Sequence, residues 1–211
     1  MQTELNCDVA VIGGGPAGVA AALCAARTGA DTVLVERYGF LGGMSTAALV
    51  YPWMTFHTAG GEQVIRGVAQ EIVDRLKAVG ASPGHLRDTV GFTFTLTPYD
   101  PEVYKLLAFD MLREAGVRML MHTSLAEAEA GGGRIRSVRL LSRGQMYRLT
   151  ASVYVDATGD AELSDMAGAK CEYGNEEGKV QPMTMKFRMR GVNGDAIKDY
   201  MKRHPEEFYE K

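Results

Sequence analysis

Three glycines spaced as Gly13-x-Gly15-x-x-Gly18 stand between an apolar run, Asp8 to Ile12, and an alanine-rich run that follows Pro16. This order of residue types binds phosphate through backbone alone. Gly13 allows the tight turn, Gly15 lets the backbone approach a pyrophosphate, and Gly18 lets the following helix lie close on the strand. The unpaired N–H groups and positive dipole end of that helix then face the negative charge. Pro16 suits the first turn, where no donor is needed, and Gly29 suits the helix stop. A second apolar run, Asp31 to Val35, ends in Glu36, about twenty residues past the glycines, where an acid accepts from ribose hydroxyls. Strand, turn, helix, strand and acid in this order predict a bound dinucleotide. The acid disfavours a phosphorylated ribose, which Arg37 partly offsets.

The elements that must position these residues follow from periodicity. Ala22, Ala25 and Ala26 continue the small face begun at Gly18, so helix and sheet can approach closely. Past Glu36 the chain enters a loop-like stretch, Tyr38 to Gly61, where an NAD-binding domain would pass promptly through another helix to a third strand. Ile65, Val68, Ile72, Leu76 and Val79 recur at helical spacing up to Gly80. His85 to Thr97 alternates Phe92, Phe94 and Leu96 with threonines, a short strand or hairpin arm. Asp100, Pro101 and Glu102 supply an N-cap, a first-turn proline and an early acid for a helix reaching about Ala115. A buried strand, Val117 to Met121, follows. From Ser124 to Val155 the pattern is a β-meander with turns at Gly131 to Arg134 and Ser142 to Gln145. Its last strand leads into Asp156 to Asp160 (DATGD) and a short helix through Met166.

Composition narrows the partners. The 211 residues carry a formal charge of −3 with no cluster of Lys or Arg, so neither nucleic acid nor an anionic membrane is expected. Residues 9–26 carry the glycine motif and lack a basic leader, which argues for a cytoplasmic protein without a membrane span. Cys7, Cys24 and Cys171 form no C-x-x-C pair and are expected as buried free thiols. Four scattered histidines give no metal site.

The series of Gly13 to Gly18, Glu36-Arg37, Leu41 to Thr46 (LGGMST), meander and Asp156 to Asp160 resembles the FAD-dependent oxidoreductases of the glutathione-reductase-like superfamily. It is most similar to the branch with fumarate reductase and succinate dehydrogenase flavoproteins. Ala167 to Ala169 and Gln181 to Thr184 extend the likeness, so it covers residues 6–190. The resemblance implies an α/β, Rossmann-like FAD-binding fold with a parallel sheet, a crossover β-meander and helices. Residues 1–180 would form the FAD-binding domain, with an excursion over 45–100, and 181–211 would begin a substrate or cap domain. It further implies that Gly13, Gly15, Pro16, Ala17, Gly18, Glu36 and Arg37 hold the adenosine diphosphate half. Gly42, Gly43, Met44 and Ser45 would lie along the pyrophosphate, ribityl chain and flavin, with backbone at Leu125 on the adenine edge and Ala157, Thr158 and Gly159 completing the cleft.

The implied activity is an FAD-dependent oxidoreductase of a small-molecule substrate, with noncovalent FAD and hydride transfer through flavin N5. The paired cysteines of the disulfide reductases are missing beside Met44, Ser45 and Thr46, which excludes a dithiol relay. Members of the family continue through a substrate domain to a final glycine-containing segment, and no such segment is found here. The alternative is therefore a non-catalytic FAD-binding fragment, or a subunit whose homo-oligomer or partner completes the pocket. An NAD-dependent dehydrogenase accounts for the first motif but not for the meander or Asp156 to Asp160. No catalytic residue is assigned. His57 is the candidate for proton transfer because histidine is the residue type suited to acid–base work near neutrality and this one follows the Gly-Gly loop. Tyr51 and Trp53 are expected beneath a cap, and Arg66 and Arg188 on solvated faces rather than as clamps on a substrate carboxylate.

Overall fold

The computed structural model describes residues 3–89 and 91–207. Its centre is a six-stranded sheet built from β1 (Thr3–Ile12), β2 (Thr32–Val35), β6 (Arg118–Leu120), β7 (Thr123–Gly131), β8 (Arg134–Ser142) and β9 (Gln145–Asp156). The strand order is β6-β2-β1-β9-β8-β7. The first four run parallel and the last two antiparallel. Strand β9 does two jobs. Its early part closes the meander against β8, and nearly its whole length pairs with β1, from Thr3↔Tyr147 to Ile12↔Asp156. That register sets Asp156 beside the end of β1, where the glycine turn begins.

Side chains alternate across β1, so the sheet has two apolar faces. Val11 joins one core with Val19 and Leu23 of α1 (Pro16–Arg27), Ile72 and Leu76 of α2 (Val68–Ala78), and Tyr104, Ala108, Met111 and Leu112 of α3 (Pro101–Glu114). Ala10 and Ile12 join the other with Val33, Val138, Leu140, Leu149 and Leu163, the last on α4 (Glu162–Met166). Arg27, Glu71, Arg75 and Glu114 link α1, α2 and α3 in a chain of ion pairs at 2.7–3.1 Å. These pairs are partly exposed and orient the helices more than they stabilise them. Helix α3 begins as its sequence requires: the Asp100 side chain accepts from the Glu102 and Val103 amides at 2.8 and 3.3 Å.

Several local expectations differ from what is observed. Between Phe92 and Phe94 the chain bends, and only Thr95–Thr97 forms a strand, β5, in a small sheet ordered β3-β5-β4 with Trp53–Met54 and Leu86–Arg87. Cys24 and Cys171 are exposed and Cys7 is half-buried, so the expected burial of all three thiols is corrected. Cys24 lies on the outer side of α1, opposite the face that Ala22 and Leu23 give to the core. Burial pushes the Cys7 thiol up to about 11, so it stays protonated near neutrality. Nearly all of residues 170–207 are exposed, and α5 (Gly194–Arg203) has no buried residue. Among the described residues, no helix is long and apolar enough to cross a membrane.

Candidate functional site

Three loops meet where β1, β2 and β9 end. At Gly13, φ is 104° and the amide donates to the Val35 carbonyl at 2.8 Å. A Cβ there would lie 2.2 Å from the Ala157 carbonyl oxygen, and one at Gly18 would lie 1.8 Å from the Gly13 carbonyl oxygen. Both positions are thus confined to glycine by backbone contact. Gly15 differs: it is the N-cap of α1 with an ordinary φ of −69°, and a Cβ there would meet only the Gly43 Cα, at 4.0 Å. Pro16 opens the helix, no side chain caps it, and its first turn holds no acid. This leaves the first amides of a 12-residue helix without a side-chain partner, the arrangement that stabilises an anion.

The second loop docks on the first. The Gly42 amide donates to the Gly14 carbonyl at 2.8 Å, and a Cβ on Gly43 would reach within 2.9 Å of the Gly15 Cα. Gly42 and Gly43 have φ of 105° and 44°, so the LGGM turn can press backbone against backbone. Met44 is exposed and Ser45 buried. The Trp53 indole donates to Ser45 Oγ at 2.8 Å, and the Tyr99 hydroxyl shares its proton between the Ser45 and Val50 carbonyls at 2.8 and 2.9 Å. Burial pushes the Tyr99 hydroxyl up, which keeps it a donor. Trp53 stacks on Tyr99 with ring centroids 3.9 Å apart and meets Tyr104 edge-on at 5.2 Å. Tyr99→Phe is expected to free both carbonyls, destabilise the chain by about 1–2 kcal/mol and shift Trp53 emission to the red. Thermal melts and emission spectra check this.

The third loop is organised by a residue that sequence reasoning left out of the site. Asp156 Oδ1 accepts from the Thr158 amide and hydroxyl at 3.1 and 2.7 Å, and Oδ2 from the Ser164 amide and hydroxyl at 2.8 and 2.7 Å. It therefore ties Ala157 to Gly159 onto α4. Burial alone would push its carboxyl up, but the Ser164 and Thr158 donors outweigh this and hold it below the usual carboxylate range. Its folded pKa lies below its unfolded one, so the stability it contributes is present above about pH 4 and lost as pH falls through the folded pKa. Thermal midpoints measured against pH should fall more steeply in acid for the unaltered chain than for Asp156→Asn.

Glu36, at the end of β2, sits against the first loop at Gly14. It is 6 % exposed, and its two carboxylate oxygens accept from the Gly14 and Tyr38 amides, each at 2.7 Å. These bonds fix the carboxylate and leave lone pairs for further donors. Its carbonyl accepts from the Thr123 amide at 2.9 Å, which brings the start of β7 to the site. Two residues on, Leu125 pairs with Leu140 and Glu127 with Arg139, so Ala126 is the extra residue of a bulge. Arg37 is exposed and reaches Glu162 at 3.8 Å, while Ala17 lies on the outer side of the helix start. His57 is placed elsewhere: its Nδ1 bonds Thr95 Oγ1 at 2.9 Å, and its ring meets His85 and Phe94 in the small sheet. Arg66 donates to the Gln63 carbonyl at 3.1 Å.

The sequence matches the family of FAD dependent oxidoreductases over residues 8–211. Digeranylgeranylglycerophospholipid reductase of Methanothrix thermoacetophila is 27% identical over 178 residues, 78% of this chain. This chain spans 42% of that relative's length. Dihydrolipoyl dehydrogenase of Vibrio cholerae is 50% identical over 44 residues, 21% of this chain and 9% of the relative. The fold is shared with a geranylgeranyl bacteriochlorophyll reductase-like protein of Thermoplasma acidophilum, at TM-score 0.54 and 14% identity over 80% of this chain and 43% of that one. It is also shared with THI4 of Thermovibrio ammonificans, at TM-score 0.53 and 21% identity over 78% and 64%. By its sequence match, and with a fold that agrees, the chain belongs to the FAD dependent oxidoreductase family.

Proposed function

We infer that residues 1–180 form the FAD-binding unit of an oxidoreductase and that 181–211 begin its substrate domain. The observation that carries this reading is the junction of the uncapped start of α1, the Gly42–Gly43 turn bonded to Gly14, and the fixed Glu36 carboxylate. The diphosphate is assigned to the amides from Gly15 to Gly18, beside Pro16 and Ala17. Glu36 accepts from the adenosine ribose, with Arg37 at the rim, and the backbone at Leu125, next to its bulge, faces the adenine edge. Gly42, Gly43, Met44 and Ser45 run along the ribityl chain and flavin, opposite Ala157, Thr158 and Gly159.

FAD held noncovalently would supply hydride exchange at N5, and the protein would supply binding, orientation and exclusion of water. Here the orienting groups are Tyr99 and Trp53, which fix Ser45 from outside the nucleotide fold. The substrate is a small molecule, and a second copy or a partner subunit could complete the pocket. The exposed thiols of Cys24 and Cys171 support a reducing compartment such as the cytoplasm. A non-catalytic FAD-binding fragment is the second reading, favoured by the exposure of nearly every residue from 170 to 207. Supplying the FAD-loaded chain with an excess of electron donor together with an artificial electron acceptor separates the two. Repeated turnover supports the enzyme, and bound flavin that is not turned over supports the fragment.

A further inference from the structure

A cavity of about 770 Å³ opens beside Ser45, bounded by Leu49, Tyr51 and Tyr99, by the start of α3, and by the extended segment Met185 to Arg188. Its size is that of a site for a small organic molecule. One wall is held in a strained form. Leu49 has a φ of 54°, a conformation that a branched side chain keeps only where its surroundings impose it. The surroundings here are the Val50 amide donating to the Met44 carbonyl at 2.9 Å and the Tyr99 hydroxyl between the Ser45 and Val50 carbonyls.

The charges around the cavity are not equivalent. Asp100 is engaged as the cap of α3, and Glu102 pairs with Lys105 at 2.9 Å. Lys186 and Arg188, which also line the cavity, form no ion pair among the described residues, although Lys179 and Lys198 nearby in sequence do. The cavity therefore combines an apolar, aromatic wall with two uncommitted cations. The expectation of a solvated Arg188 is met in its exposure, yet the residue also lines this cavity.

We propose that this cavity is the substrate site and that it takes an amphipathic acid. The apolar body lies against Leu49, Tyr51 and Tyr99, and a single carboxylate or phosphate meets Lys186 and Arg188. The substrate assignment rests on the FAD-binding reading above. Ser45, which that reading places along the flavin, is the wall shared by the two sites. An arginine adds a planar fork that matches either oxyanion, and the lysine adds a point charge.

Trp53, the single tryptophan, stacks on Tyr99 and reports on the cavity floor. Its emission is to be titrated with decanoate, decyl phosphate, decanol and decylamine, with and without saturating FAD, while FAD uptake is followed separately by its visible absorption. Decanoate or decyl phosphate should bind about tenfold more tightly than decanol or decylamine, and which of the two binds better identifies the head group. The Lys186→Gln/Arg188→Gln variant should lose that advantage and keep its decanol affinity, and FAD should not displace the acid. Equal binding of decylamine, an unchanged double variant, or displacement by FAD overturns the proposal. Displacement would mean that the cavity is the cofactor's own seat. A chain that takes up no FAD refutes the cofactor reading instead, whatever the titrations of Trp53 show.

Discussion

The Gly15→Ala substitution is expected to leave the chain folded and to weaken FAD binding about 100-fold, or about 2.7 kcal/mol. Position 15 has an ordinary φ of −69°, and its Cβ would meet only the Gly43 Cα at 4.0 Å, so the protein itself accepts the methyl group. That methyl would project into the space before the amides of α1, which the diphosphate must enter closely to be stabilised there. Gly18→Ala is the opposite case. Its Cβ would stand 1.8 Å from the Gly13 oxygen, and Gly13 is itself held by its bond to Val35 and by contact with Ala157. Helix and strand would have to separate, at a cost of about 3 kcal/mol. Thermal melts and FAD titrations on both variants give the comparison. A Gly15→Ala protein that binds FAD normally would show that the ligand does not lie at the start of α1.

Glu36→Ala is expected to lower stability by about 2–4 kcal/mol and to abolish FAD uptake. Removing the carboxylate strips two amides, the buried one of Gly14 and the partly buried one of Tyr38, of their acceptors beside the glycine turn. Glu36→Gln retains one acceptor oxygen but turns an amino group toward the other amide donor. It should cost less stability and still weaken FAD about tenfold, because the ribose hydroxyls lose a charged acceptor. The pair of variants separates support of the loops from contact with the cofactor. If Glu36→Ala melted like the unaltered protein, the two amides would not depend on this side chain.

Much of this architecture is legible in local sequence because its causes are local. The glycine turn, the Asp100 cap and the meander turns each impose a backbone conformation within a few residues, and all three are observed. The dual role of β9 is not legible, since nothing within Gln145 to Asp156 says that the strand passes from an antiparallel to a parallel neighbour. The clamp on Ser45 is equally hidden: Tyr99 lies 54 residues away, and a tyrosine before a helix cap reads only as apolar bulk. Asp156 could have been found, because an acid followed by Thr158 and Ser164 at turn and helix-start spacings can accept from both. Cys24 was misread because alanine and cysteine flank Leu23 alike, and hydrophobicity does not indicate which side of α1 faces the sheet.

The same separation between local and distant causes applies to His57. Its place after the Gly-Gly loop suggested proton chemistry, but its hydrogen bond and ring contacts all lie within the small sheet and its neighbours. Beside it, His85 is held below the ordinary histidine value by burial and by the charge of His57. A half-buried pair of rings bonded to Thr95 and Thr97 accounts for both histidines as structure.

The most direct test of the central claim is the visible spectrum of the purified chain after incubation with FAD and gel filtration, recorded before and after denaturation. The three loops at the ends of β1, β2 and β9 predict two flavin bands that stay with the folded protein and are released on denaturation as free FAD. A folded chain that emerges colourless would contradict the site described here.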